Sequence, residues 1–144
     1  MRKILLVEDS PSDVELTIRA LRKSKLDAEV FVAEDGAEAL DYLFCMGKYA
    51  NREGCGNPDL ILLDLNIPKI DGNQVLSRIR AHQPTKLIPV VVLTSSNEEY
   101  DLKKAYNSGA NSYIRKPVNF SEFSDVVAKL GHYWLEVNEP PPMP

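Results

Sequence analysis

The sequence predicts an α/β fold, a doubly wound sheet of five parallel strands with helices on both faces. Three observations lead to it. Short unbroken apolar runs recur along the chain and end abruptly on polar groups, most clearly in Leu60-Ile61-Leu62-Leu63-Asp64. Such runs suit strands buried on both faces, as in a parallel sheet. Between them, apolar residues repeat at helical spacing, so strand and helix alternate five times. Right-handed crossovers then bring every strand's carboxyl end to one edge, where open α/β sheets keep their ligand crevices.

Taken in order, Lys3-Ile4-Leu5-Leu6-Val7 is the first strand and ends on Glu8-Asp9. Ser10 caps the first helix, with Pro11 in its first turn and Asp13 three residues on. Val14, Ile18 and Leu21 give that helix an apolar face. Glu29 to Ala33 is the second strand, and Asp35-Gly36 opens a helix carrying Ala37, Leu40 and Phe44. Residues 45–58 show no period, hold Gly47, Gly54, Gly56 and Pro58, and exceed the usual connection. They are read as an inserted surface loop before the third strand, which ends at Asp64. Asp71-Gly72 leads into a helix through Val75, Leu76 and Ile79.

Pro89 to Leu93 is the fourth strand, ending on Thr94-Ser95-Ser96. Leu102, Ala105 and Tyr106 mark the next helix, and Gly109 ends it. Ser112 to Arg115 is a less apolar fifth strand that ends on Lys116-Pro117. The final helix carries Phe120, Phe123, Val126, Val127, Leu130, Tyr133, Trp134 and Val137, longer than the sheet needs. Tyr133, Trp134 and Val137 are therefore expected to overhang the core. One domain over residues 2–137 is expected, followed by a proline-rich, disordered tail over 138–144.

Composition narrows the function classes. The 144 residues suit one domain with one core. A net charge of -4 argues against nucleic acid as the main partner. No apolar run approaches the ~20 residues that span a bilayer, and Glu8-Asp9 cuts the N-terminal run too short for a signal peptide. A cytoplasmic protein with Cys45 and Cys55 as reduced thiols is expected. Neither His82 nor His132 lies near those cysteines in sequence, so a zinc site is not indicated. The chain has no GxxxxGK loop and no GxGxxG fingerprint. Asp64-Leu65-Asn66 imitates the start of a calcium loop, but Pro68, Lys69 and Val75 break the pattern.

The groups converging on the sheet edge are Glu8, Asp9, Asp64, Thr94 and Lys116. Singly, Asp9 reads as a helix-start residue, Thr94 as a turn hydroxyl and Lys116 as a solvated lysine. Their joint placement at strand ends makes chance a poor explanation. Two carboxylates about 5 Å apart repel by about 3 kcal/mol at an effective dielectric near 20, so the cluster calls for a cation. Oxygen-only donors favour Mg²⁺. The assembly suits phosphoryl transfer, with Asp64 as the nucleophile, Lys116 neutralising charge and the Thr94 hydroxyl donating a hydrogen bond.

Val7-Glu8-Asp9, Leu63-Asp64-Leu65-Asn66-Ile67-Pro68 with Asp71-Gly72, Leu93-Thr94-Ser95 and Lys116-Pro117 occur in that order. Together they resemble the receiver domain of bacterial two-component response regulators, over about residues 2 to 130. The resemblance implies a flavodoxin-like sheet of order 2-1-3-4-5. It implies Asp64 as phosphoacceptor and Asp9 as Mg²⁺ ligand, with Glu8 acting through water and the backbone carbonyl of Asn66 adding a ligand. Thr94 and Tyr113 match the switch hydroxyl and aromatic, Lys116 matches the phosphoryl contact, and the Lys116–Pro117 bond is implied to be cis. The loop, the Val91 to Ser95 stretch and Phe123 through Leu135 resemble the small single-domain regulators paired with phytochrome histidine kinases.

That resemblance implies no enzyme beyond self-catalysed phosphorylation and dephosphorylation of Asp64. It implies a sensor histidine kinase as partner and output by protein contact; the overhang expected of Tyr133, Trp134 and Val137 points to a homodimer through the C-terminal half, favoured by phosphorylation. A relay passing phosphate to another histidine domain is the alternative role. A flavodoxin-like cofactor protein shares the fold, but Glu8-Asp9-Ser10-Pro11 would repel a flavin phosphate. An aspartyl phosphatase needs a second acid where Asn66 stands.

Overall fold

The computed structural model describes residues 1–52 and 56–142. Five strands and five helices alternate: β1 (Arg2–Val7), α1 (Pro11–Lys23), β2 (Ala28–Ala33), α2 (Gly36–Phe44), β3 (Leu60–Leu63), α3 (Gly72–Ala81), β4 (Val90–Thr94), α4 (Glu99–Asn107), β5 (Ser112–Arg115) and α5 (Phe120–His132). The sheet runs β2-β1-β3-β4-β5 and every pair is parallel, as the sequence predicts.

Strand composition decides which strands lie inside. All four residues of β3 and all five of β4 are buried, consistent with their unbroken apolar runs. On one face, Leu5, Val7, Ile61, Leu63 and Val90 pack with Leu40, Leu43, Val75, Leu76 and Ile79 of α2 and α3. On the other, Ile4, Leu6, Leu60, Leu62 and Leu93 pack with Leu21, Phe123, Val127 and Leu130 of α1 and α5. Val92 meets Leu65 and Ala105 of α4 in a smaller cluster. Alternate residues of one strand thus serve two cores.

Side chains close the helix starts. Ser10 accepts from the Asp13 N–H, Asp35 from Glu38, Asp71 from Gln74, and Asn119 from Ser121 and Glu122. Each satisfies amides that have no partner inside the helix. Capping matters here because three of these helices begin just after a strand end that carries a site residue or its neighbours.

Three expectations need correction. Cys45 is disulfide-bonded rather than a free thiol; Cys55 lies outside the described residues. Redox compartment alone does not decide whether a loop brings two sulfurs together. No peptide bond among the described residues is cis, so Lys116–Pro117 is trans, the form an isolated X–Pro bond prefers by about 0.5–1 kcal/mol. Trp134 does not overhang: it stands four residues after Leu130, on the same face of the helix, and packs against the α1–α5 core beside Leu135, while Tyr133 and Val137 are exposed. Tyr106 in α4 and Phe120 at the start of α5 stand exposed.

The inserted loop is anchored where it is described. Gly47–Tyr49 forms a 3₁₀ turn, and the Tyr49 hydroxyl donates to Glu38 at 3.0 Å. Arg52 lies 4.1 Å from the centre of the Tyr42 ring, which also stacks on Phe31. At the other end of the chain, Asn138 to Pro142 has no regular structure. No helix among the described residues is long and apolar enough to cross a membrane.

Two glycines test the packing. A Cβ on Gly72 would lie 2.6 Å from both the Asp64 carbonyl oxygen and the Leu65 Cα, backbone atoms that cannot yield. On Gly131 it would meet only the ends of the Leu26 and Leu21 side chains. Gly72→Ala is expected to cost about 1–3 kcal/mol through overpacking. In Gly131→Ala the gain of about 1 kcal/mol in helix propensity offsets the crowding. Urea unfolding midpoints of the two variants check this contrast.

Candidate functional site

The ladder hydrogen bonds continue past the strands into the residues that follow them. The Glu8 N–H donates to the Ala33 carbonyl at 3.0 Å, Asp64 to Val7 at 3.0 Å, and Lys116 to Thr94 at 2.7 Å. The backbone of each site residue is therefore fixed by a neighbouring strand. Their side chains converge on one edge: Glu8 is 3% exposed, Asp64 8% and Thr94 fully buried, while Asp9 stands exposed at the rim.

Lys116 holds the cluster together. Its ammonium donates to Glu8 Oε1, to Asp13 Oδ2 at 2.9 Å and to Asp64 Oδ2 at 3.0 Å, so all three N–H donors have carboxylate acceptors. The second oxygens of the two buried acids are engaged as well. Asp64 Oδ1 accepts from the Asn66 N–H at 3.1 Å, and Glu8 Oε2 from the Ser10 N–H at 3.2 Å. In the sequence, Asp13 is legible only as an acid in the first turn of a helix. Its distance along the chain from Lys116 hides the pair, and its spacing from Glu8-Asp9 is the one available signal.

Burial decides the protonation of Glu8. Loss of water raises its carboxyl from the ordinary 4.5 to about 7; the Asp64 charge adds to this, and hydrogen bonds from Lys116 and the Ser10 N–H oppose it. Burial works to lower Lys116, yet its bonds to Glu8 and Asp13 and the charges of Asp64 and Glu8 win, and it is raised. For an isolated ion pair these two directions would conflict. They agree once the ammonium is shared among three carboxylates: Lys116 stays charged, but one positive charge cannot keep every acid ionised away from water.

Glu8, Asp9 and Asp64 each offer a carboxylate oxygen, and these oxygens lie within 4.8 Å of one another. The donor set is all oxygen and still negative after Lys116 is counted, which fits a hard divalent cation. Asp9 is outside the Lys116 hydrogen bonds, so its carboxylate is available at the rim.

Thr94 and Tyr113 belong to an adjoining network. Thr94 Oγ1 accepts from the Ser96 N–H at 3.5 Å, and the Tyr113 hydroxyl donates to the Ser96 carbonyl at 3.4 Å. Ser96 Oγ pairs with Asp101 Oδ2 at 2.5 Å, joining the loop after β4 to α4. Among the described residues neither Thr94 nor Tyr113 hydrogen-bonds to Asp64. A groove of about 470 Å³ is lined by Met1, Leu26 and Ala28 among others. It lies at the opposite end of the sheet and holds none of these groups.

Comparison with known proteins bears directly on this arrangement. The family profile described as response regulator receiver domain matches residues 4–128. Response regulator Rcp1 of Synechocystis sp. is 41% identical over 92% of this chain and 88% of its own length. The crystal structure of the Mn²⁺-bound form of Rcp1 superposes with a TM-score of 0.91, covering 99% of this chain and 100% of that one. The phosphorylated cyanobacterial phytochrome response regulator RcpA is 42% identical, with a TM-score of 0.91 and coverage of 98% and 99%. The bacteriophytochrome response regulator RtBRR is 51% identical, with a TM-score of 0.77 and coverage of 99% and 85%.

The raised Glu8 carboxyl makes metal-free stability depend on pH. In the range from 4.5 to about 7 the folded chain binds a proton that the unfolded chain has released. Stability therefore falls as pH rises through that window, by at most about 3 kcal/mol, and levels off above it. Thermal melts in chelator from pH 4.5 to 8 are expected to show this decline, and Glu8→Gln to flatten it.

Proposed function

Because the chain belongs to the response regulator receiver domain family, we propose that Asp64 accepts a phosphoryl group from the phosphohistidine of a sensor histidine kinase. The observation that carries this reading is the Lys116 ammonium held 3.0 Å from the Asp64 carboxylate at the edge where Glu8 and Asp9 also meet. Both oxygens of Asp64 are oriented, one by Lys116 and one by the Asn66 N–H, so the nucleophile is ordered before a donor arrives.

In the transfer, a carboxylate oxygen of Asp64 forms the new P–O bond as the P–N bond of phosphohistidine breaks. The electron pair of that bond leaves on the imidazole. Lys116 stands ready for a phosphoryl oxygen. Asp9 and Asp64 would hold Mg²⁺, with the Asn66 carbonyl adding a ligand and Glu8 acting through water. When bound, the cation supplies charge neutralisation for the transferring group. The new phosphoryl group carries about -1.5 to -2 charges, and Thr94 moves its hydroxyl toward it. Ser96 lies between Thr94 and Tyr113 in the hydrogen-bond network, so that movement reaches the face formed by α4 and β5.

Residues 2–137 are read as the receiver unit, working in the cytoplasm. A phytochrome-type kinase is the proposed donor, supported by the likeness to RcpA and RtBRR. A second copy of the chain is the proposed partner of the C-terminal face. Tyr133 is 47% and Val137 57% exposed at the end of α5, beside the inward-facing Leu135. Aromatic residues are enriched at interfaces.

Intact-mass measurement with Mg²⁺ and a small-molecule phosphodonor is expected to give one phosphoryl adduct on the wild type and none on Asp64→Asn. A stable adduct on that variant would assign the acceptor elsewhere. Asp9→Asn is expected to weaken Mg²⁺ binding by about tenfold, equivalent to about 1.4 kcal/mol, in calorimetric titration.

For the dimer, light scattering with and without beryllofluoride is expected to show a dimer favoured by the phosphate mimic and disrupted in Val137→Asp. A monomer in both states at tens of micromolar (roughly 8 kcal/mol of association is needed for micromolar binding) would rule the dimer out.

A further inference from the structure

Three carboxylates hold Lys116, and the proposed transfer accounts for only two of them. The third, Asp13, lies in the first turn of α1, with its Oδ2 2.9 Å from the ammonium. Its side chain is 30% exposed, against 9% for Lys116, so it closes the cluster on the solvent side. We propose that Asp13 is a positioning residue for Lys116: it fixes the ammonium from the α1 side so that Lys116 stays at the acceptor while Asp64 changes from carboxylate to acyl phosphate. This rests on the reading of Asp64 as the phosphoacceptor.

Donors and acceptors must match before and after the transfer. Before it, the three N–H groups of Lys116 point at Glu8, Asp13 and Asp64. Once the Asp64 oxygen becomes part of an acyl phosphate it is a poorer acceptor, and one N–H must turn to a phosphoryl oxygen. A lysine ammonium rides on a flexible four-carbon stem and donates in any direction. With Glu8 as the only remaining anchor it would be free to swing away. With Glu8 and Asp13 both engaged, two donors stay fixed and only the third has to re-aim. The cost of reorganisation is removed before the reaction begins.

Asp13 is itself held in place. Its N–H is capped by Ser10 Oγ at 3.4 Å, and its carbonyl accepts from the Thr17 hydroxyl at 2.7 Å. Pro11 fixes the first helical turn just before it. The carboxylate therefore projects from a rigid helix start, unlike the lysine it binds. A purely structural role is the competing account, since an acid in the first turn also favours the helix dipole. That account places no demand on Lys116 and none on phosphorylation.

The experiment uses the full chain as wild type, Asp13→Asn and Asp13→Glu. Phosphorylation by phosphoramidate at saturating Mg²⁺ is followed by intact mass, Mg²⁺ affinity by calorimetry, and the Lys116 ammonium by ¹⁵N-edited NMR in metal-free protein. Asp13→Asn is expected to be phosphorylated about tenfold more slowly. It should bind Mg²⁺ as the wild type does and lose the exchange-protected ammonium signal, with partial rescue by Asp13→Glu. An unchanged rate and ammonium signal in Asp13→Asn, with the wild type labelled on Asp64, would overturn the positioning role and leave the acceptor reading standing. Mg²⁺ affinity falling as far as in Asp9→Asn would overturn it by moving Asp13 to the metal. A wild type unlabelled on Asp64 would overturn both.

Discussion

One ammonium group set among three carboxylates governs this molecule's chemistry. Lys116 reaches Glu8, Asp13 and Asp64 from a loop that none of them shares. It therefore ties the ends of β1, β3 and β5 and the start of α1 to a single point. Removing charges from water is costly, and an ion pair in such surroundings offsets that cost only when each hydrogen-bond position is filled. Here the positions on Lys116 are filled, but the charge is not balanced. Asp9 adds a fourth carboxylate at the rim, and the site is left with an excess of negative charge. The fold keeps an arrangement that is electrostatically unsatisfied by itself and suited to a cation and a phosphoryl group arriving from outside.

The sheet makes such an arrangement tolerable. A parallel ladder with both faces covered is stiff, and strands β1, β3 and β4 are buried among apolar side chains on either side. Gly72 lets α3 start against the Asp64 carbonyl, so the acceptor's backbone is braced by a helix as well as by β1. The hydroxyl and aromatic groups of the adjoining network are built differently. Ser96 and Tyr113 sit near the sheet's edge strand, joined by hydrogen bonds as long as 3.4 and 3.5 Å. The bonds that link Ser96 to Thr94 and to Tyr113 are longer than those at the proposed acceptor, although Ser96 is held firmly to Asp101 of α4.

Much of this is legible in the sequence, for a physical reason. Buried parallel strands must be apolar throughout, so β1, β3 and β4 announce themselves, and the polar residue that ends each run marks the edge of the sheet. Glu8, Asp9, Asp64 and Thr94 stand out in this way, and Lys116 follows the less apolar β5. Asp13 does not, because its first identity is that of a helix-start acid, and only the fold brings a residue 103 positions away within 2.9 Å of it. Trp134 is misplaced when only the length of the last helix is weighed, because its spacing from Val127 and Leu130 keeps it on the core face. The disulfide-bonded Cys45 begins a stretch of sequence that carries no period at all.

The ladder bonds that extend into Glu8, Asp64 and Lys116 tie the opening of the site to the opening of the sheet. Amides paired within a core strand are released only when the whole domain unfolds, whereas loop amides open locally at small free energy. Deuterium would thus enter the backbone at Glu8, Asp64 and Lys116 on the timescale of global unfolding. The loop around Ser96, one strand away, would exchange long before. The acidic centre and the scaffold form a single cooperative unit, and the loop after β4 lies outside it. Under the proposed function, a change in that loop's order could be read by a partner without loosening the aspartate that accepts the phosphoryl group.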